Sequence, residues 1–276
     1  MSDSFDIYVG PVAGITTSAL YAGTALWFVG AARRLGTVMV NAVRLAVAIV
    51  LLAITHRLAT GLWIPPASAG QVVFLALSGI VGLVIGDLAI FIAFVDIGPR
   101  LSMLILAGAP LLAVLFGWVA LGETLGGVAW VGVLLIVVGV GWVVLEKPSM
   151  TSPYCASRRL RGIILAFVAA AGQAGGMLLS KQGMGHGWLP DDQHLAPQAA
   201  TLIRMVFGGV GLAPILLVQL RRESMRRARG IRPQRVGSRR TGFVFAFLAA
   251  FFAGYLAVWF SLIAADRLTL GIAQTL

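Results

Sequence analysis

Three ionisable side chains fall inside stretches otherwise apolar enough to exclude them: Arg44, Asp87 and Arg204. A charge in such surroundings is costly, so it faces a cavity, a partner or water rather than hydrocarbon. Two guanidinium groups in separate apolar segments could flank a cavity and hold an anionic or carboxylate-bearing solute by bidentate contacts. The competing reading is that each long side chain snorkels to the headgroups or pairs structurally. Asn41 precedes Arg44 by one turn and shares its helical face. Asp87 is placed to couple transport to protons, to neutralise Arg44 or to cap a neighbouring helix.

Further polar or helix-breaking residues lie at similar depth. Gln173 offers its amide to a solute or to an adjacent helix. Pro110 removes a backbone hydrogen bond in mid-helix, either where a segment lines a site and flexes or as a plain kink. Trp27, Trp63, Trp118, Trp130, Trp142 and Trp188 fall at or near the ends of apolar runs, as an interfacial belt does. Trp259 lies within a run, where it lines a cavity or fills the core.

The residues do not suit catalysis. Clustered acids, Ser/His/Asp sets and His-Glu-x-x-His patterns are missing from the apolar runs, and no phosphate-binding Gly-x-x-x-x-Gly-Lys-Ser/Thr loop is present. No enzyme activity, built-in ATPase or cofactor is expected. His56, His186 and His194 lie at helix ends or in connections. Asp191-Asp192-Gln193-His194 carries metal-capable side chains, but in a Pro-flanked connection without a further ligand cluster, so it reads as a solvated loop with no metal. The single cysteine, Cys155, gives no disulfide framework.

The elements that position these groups follow from composition. The chain is 59% hydrophobic and 11% charged, with mean hydropathy +0.95. Apolar runs of membrane-crossing length, about 20 residues, recur near 10–28, 36–56, 71–95, 99–120, 125–145, 160–180, 196–219 and 241–265. Residues 267–276 are too few to span and read as the start of a ninth helix. The acidic Ser2-Asp3-Ser4-Phe5-Asp6 opening is unlike a cleavable signal peptide.

Net charge of +11 does not indicate nucleic acid, because the basic residues cluster in particular connections. Nine arginines lie between 221 and 240, and Lys147, Arg158, Arg159 and Arg161 lie in or beside 147–159. Both connections are predicted to be cytoplasmic, with the 221–240 loop facing anionic lipid headgroups. The same bias places the amino terminus outside.

Two copies of one unit are visible. Asn41-Ala-Val-Arg44 matches Thr201-Leu-Ile-Arg204, and Gly82-x-x-x-Gly86 matches Ala250-x-x-x-Gly254. Pro99-Arg100-Leu101-Ser102 matches Asp266-Arg267-Leu268-Thr269. Gly82/Gly86, Gly172/Gly176 and Ala250/Gly254 each give a small-xxx-small face that lets helix backbones approach.

The stretch from Pro99 through Pro110 to Leu121-Gly122-Glu123, then Gly132 to Glu146, resembles the EamA repeat of the drug/metabolite transporter superfamily. The resemblance covers nearly all of the first unit; the second matches through Gln173, Ser180-Lys181, Arg204 and Asp266-Arg267-Leu268. It implies an all-α integral membrane protein of two inverted five-helix repeats, at 10–146 and 160–276 and joined by 147–159. The second repeat is expected to be incomplete, giving about eight full transmembrane helices plus the start of a ninth. It also implies structural roles for Gly122 and Glu123, and a cytoplasmic amino terminus, opposite to the charge bias. The function implied is secondary transport of small organic solutes (metabolites, amino acids or drugs) by alternating access in a cell membrane. The alternatives are a membrane-embedded enzyme and a truncated, non-transporting membrane protein.

Overall fold

The computed structural model describes residues 3–122, 127–145, 156–186, 188–189, 194–228 and 237–267. Helices account for nearly all of them, and no strand occurs among the described residues. In chain order they are α1 (Asp3–Leu35), α2 (Thr37–Thr60), α3 (Ala69–Asp96), α4 in two halves (Gly98–Leu106 and Ala109–Leu121), α5 (Gly127–Leu145), α6 (Ala156–Gly183), α7 (Pro197–Ala228) and α8 (Arg239–Arg267). Seven of these, all but α5, are long and apolar enough to cross a membrane.

Local chemistry sets the boundaries. Gly36, with φ +91°, breaks α1 from α2, and Gly61, with φ +76°, ends α2 in the left-handed conformation that glycine adopts without strain. At the start of α3 the Ser68 hydroxyl accepts from the Gln71 amide at 3.3 Å, while Gln71 Oε1 accepts from the Ser68 amide at 2.9 Å. This reciprocal pair satisfies two donors that the first turn leaves open.

Several helices outrun the apolar segments. Helix α7 continues to Ala228, so Arg221, Arg222, Arg226 and Arg227 ride on its last turns rather than in a loop. Helix α6 begins at Ala156 and carries Arg158, Arg159 and Arg161 on its first turns. Long basic side chains let a helix run past hydrocarbon without burying charge. Pro110 is also placed differently from the mid-helix break expected. Helix α4 interrupts after Leu106 through a tight turn, with the Gly108 amide on the Ile105 carbonyl at 3.0 Å, and Pro110 stands in the first turn of the second half. There its missing N–H costs nothing. Gly122 caps that half at φ +66°. Glu123, Asp191, Asp192 and the 268–276 segment lie outside the described residues.

Helix α3 packs on α6 and α7, and α8 packs on α1 and α2; α2 also lies against α7. Both α3 and α8 widen to a π-helix at their centres, over Gly79–Gly86 and Ala250–Ala257. The glycine faces explain the close approach of α3 to α6. A β-carbon on Gly172 would lie 3.0 Å from the Gly86 Cα and 3.0 Å from the Val81 carbonyl oxygen. One on Gly176 would lie 3.0 Å from the Gly82 Cα. Ser78 and Ser180 seal the contact, their hydroxyls 2.7 Å apart and both on the Gly176 carbonyl. Because backbone opposes backbone here, nothing yields to a larger residue. Gly172→Val is expected to destabilise the protein by about 1–3 kcal/mol or more, read as a lower midpoint of thermal unfolding in detergent.

Candidate functional site

The helices border a half-open cavity of about 520 Å³ between α1, α3, α4 and α6, reached also by α2, α7 and α8. This volume suits a small organic molecule. Most of its wall is apolar, including Phe28, Phe91, Met103 and Met177. The polar lining groups are Arg44, Asp87, Gln173 and Arg204, together with Thr17, Ser18 and Tyr21 of α1 and Ser261 of α8.

Arg44 of α2 is almost fully buried and forms an ion pair through Nη2 with Oδ2 of Asp87, the residue that directly follows the π-helical part of α3. Its Nε donates to Asn41 Oδ1 at 3.3 Å, and Asn41 Nδ2 donates to the Leu83 carbonyl at 2.8 Å. Asn41 is fully buried and stands behind the cavity rather than in it. It links α2 to the widened segment of α3 and holds the Arg44 head in place. Such a network satisfies buried charge by fixed partners.

Arg204 of α7 is equally buried, at 3% exposure, but differently served. Its Nε has no hydrogen-bond partner. The head occupies the space that two glycines leave open. A β-carbon would lie 2.6 Å from Nη2 if placed on Gly82 and 3.2 Å if placed on Gly176. Across the molecule a β-carbon on Gly254 of α8 would lie 2.8 Å from Arg44 Cγ. Each arginine thus sits against a glycine in the π-helical segment of a third helix, Arg204 on α3 and Arg44 on α8.

Of the seven residues proposed for a cavity, five line it: Arg44, Asp87, Pro110, Gln173 and Arg204. Trp259 does not. Its ring packs between Tyr255 at 5.9 Å and Phe260 at 6.4 Å, while Val258 and Ser261 of the same helix line the cavity. The break in α4 brings Leu106, Ala107, Ala109 and Pro110 to the wall together, an arrangement in which a discontinuous helix borders a solute-sized space. Sequence reasoning overlooked Thr17, Ser18 and Tyr21; the clue available was a run of hydroxyls one turn apart in an otherwise apolar helix. It also overlooked Asp96, which ends α3 and accepts a two-pronged bond from Arg161 at 2.7 Å for each prong.

The histidines are also better organised than the sequence suggested. His194 does not stand in a ligand-poor loop: it meets His186 and Asp266, with both Nε2 atoms 2.9 Å from Asp266 Oδ1.

Comparison with known proteins agrees with this architecture. A solved structure described as "Crystal structure of protein" superposes with a TM-score of 0.63, covering 99% of this chain and 84% of its own at 19% identity, a likeness of fold alone. No curated protein matches the sequence. Residues 9–145, the span of α1 to α5 and the site of the Pro110 and Leu121-Gly122 features, match the EamA-like transporter family. Through this segment the chain belongs to the EamA-like transporter family.

Proposed function

We propose that this protein is a secondary transporter of a small organic solute carrying a carboxylate or comparable anionic group, and that the solute binds in the 520 Å³ cavity against Arg204. One observation carries the reading. The cavity presents two guanidinium groups and a single carboxylate among its described lining residues, and that carboxylate is already engaged by Arg44. Arg204 is left with a buried donor that no protein group meets. A buried donor without a partner is costly, and an anionic acceptor placed there removes the cost.

An inverted pair of units, α1–α5 and the one that opens with α6, is the arrangement we infer from this geometry, and it favours alternating access. The third helices α3 and α8 share a central π-helix, and each receives an arginine from the second helix of the other unit. Rocking of one unit against the other changes these crossed contacts first. Asp87 is the group through which proton coupling would act, since releasing Arg44 frees its carboxylate toward the cavity. The basic ends of α6 and α7 set the cytoplasmic side of a cell membrane and rest on anionic headgroups.

Transport across proteoliposomes tests the reading. Purified protein is offered organic carboxylates, amino acids, nucleosides and cationic drugs, with and without a pH gradient. Uptake or efflux is expected for anionic or zwitterionic solutes and not for purely cationic ones. Transport confined to cations, or of no solute in the panel, would refute it.

A further inference from the structure

We infer that His186, His194 and Asp266 form a binding site for a divalent transition-metal ion of the zinc class, on the molecular face opposite the arginine-rich helix ends. The three residues come from two separate parts of the fold. His186 follows the end of α6, His194 precedes α7, and Asp266 is the penultimate residue of α8. Their ligand atoms lie within 4.8 Å of one another, and each Nε2 is 2.9 Å from Asp266 Oδ1.

The backbone holds this arrangement. Gly185, with φ +97°, closes α6 in a left-handed cap, where its amide donates to the Gln182 carbonyl at 3.0 Å and the His186 amide donates to the Lys181 carbonyl at 3.2 Å. This double cap fixes the direction in which His186 leaves the helix. The Leu195 amide donates to the Met184 carbonyl at 3.1 Å, which brings His194 back beside His186. The two imidazole rings stand at 86° with centroids 5.7 Å apart. They converge on one carboxylate from different directions rather than stacking.

The donor set matches the metal. Two neutral imidazoles and a carboxylate are a common three-ligand set for zinc, leaving a fourth position for water or solute. With metal–ligand bonds of about 2.0–2.2 Å, ligand atoms in a tetrahedron lie about 3.3 Å apart. The two observed 2.9 Å spacings need to open by a few tenths of an ångström, and the ligand atoms of the two imidazoles, within 4.8 Å of each other, need to draw together on the ion. Asp266 is buried to 8% side-chain exposure, while His194 is 55% exposed and provides the way in from water. Asp266 Oδ2 faces Arg267 Nε at 3.7 Å, so Oδ1 is the atom presented to the ion. Bound metal would clasp the α6–α7 connection to the end of α8. The inference is independent of the solute cavity and of the transport reading.

Titration of tag-free, detergent-solubilised protein with Zn²⁺ against a chromophoric chelator is expected to find one site per chain. Co²⁺ in its place should show the strong visible absorption of tetrahedral coordination. His194→Ala removes the most exposed ligand and should weaken Zn²⁺ binding by at least about tenfold. Asp266→Asn keeps the side-chain shape and should do the same; if it fails to fold, His194→Ala decides alone. Absence of binding in the wild type, or unchanged affinity in His194→Ala, would overturn the assignment and leave a hydrogen-bonded cluster only.

Discussion

Arg204→Gln is expected to abolish solute transport while leaving a folded protein. The substitution keeps an uncharged hydrogen-bonding group on a shorter side chain and removes the charge. Its fold cost is small, because the Nε it deletes has no partner to strand. Its functional cost is large. Losing a buried charge-assisted contact to an anion costs about 2–5 kcal/mol, or roughly 30- to 5,000-fold in apparent affinity. Arg204→Lys separates charge from geometry: a point charge retains some binding, whereas a two-pronged contact is lost. The order wild type, Lys, Gln in proteoliposome uptake, with thermal midpoints close together, is the anticipated result. Equal transport in all three would remove Arg204 from the site. Gly82→Ala is a milder form of the same test, since its β-carbon would lie 2.6 Å from Arg204 Nη2 and must push the head aside.

What the sequence discloses depends on whether a residue contradicts its surroundings. Arg44, Asp87 and Arg204 stand out because charge in an apolar run needs a reason, and all three line one cavity. The small-xxx-small faces are legible for the same cause, and Gly82/Gly86 proves to face Gly172/Gly176. The pairing itself is not legible. Arg44 meets Asp87 across 43 positions and His194 meets Asp266 across 72, distances that no local periodicity reports. Thr17 is hidden for another reason: its hydroxyl bonds the Ala13 carbonyl at 2.8 Å, so it behaves as an ordinary helical threonine until the cavity beside it is seen. Pro110 reads in the sequence as a residue removing a backbone bond in mid-helix, whereas it stands in the first turn after the interruption at Ala107-Gly108. A proline in a first turn and a proline in mid-helix look alike when the preceding Ala107-Gly108-Ala109 carries no marked turn residue beyond one glycine.

The Arg44–Asp87 pair gives the second large effect, and its size depends on the variant chosen. Asp87→Ala leaves the Arg44 guanidinium buried with only Asn41 as a side-chain partner among the described contacts. Breaking a buried ion pair from one side costs about 3–5 kcal/mol, because the surviving charge has neither water nor a counter-charge. A pronounced drop in the thermal midpoint is therefore expected for Asp87→Ala, and for Arg44→Ala to a lesser degree, since Asp87 is the more exposed partner at 13% against 4%. The double variant Arg44→Met/Asp87→Leu removes both charges and fills the space with apolar atoms, so its stability should return to near the wild-type value. Function should not return with it. If Asp87 carries the coupling proton, the double variant folds yet loses acceleration of transport by a pH gradient, whereas a purely structural pair would leave that gradient response intact. Measuring stability and gradient-driven flux on the same three variants separates the two roles, because only one of them is restored by apolar replacement.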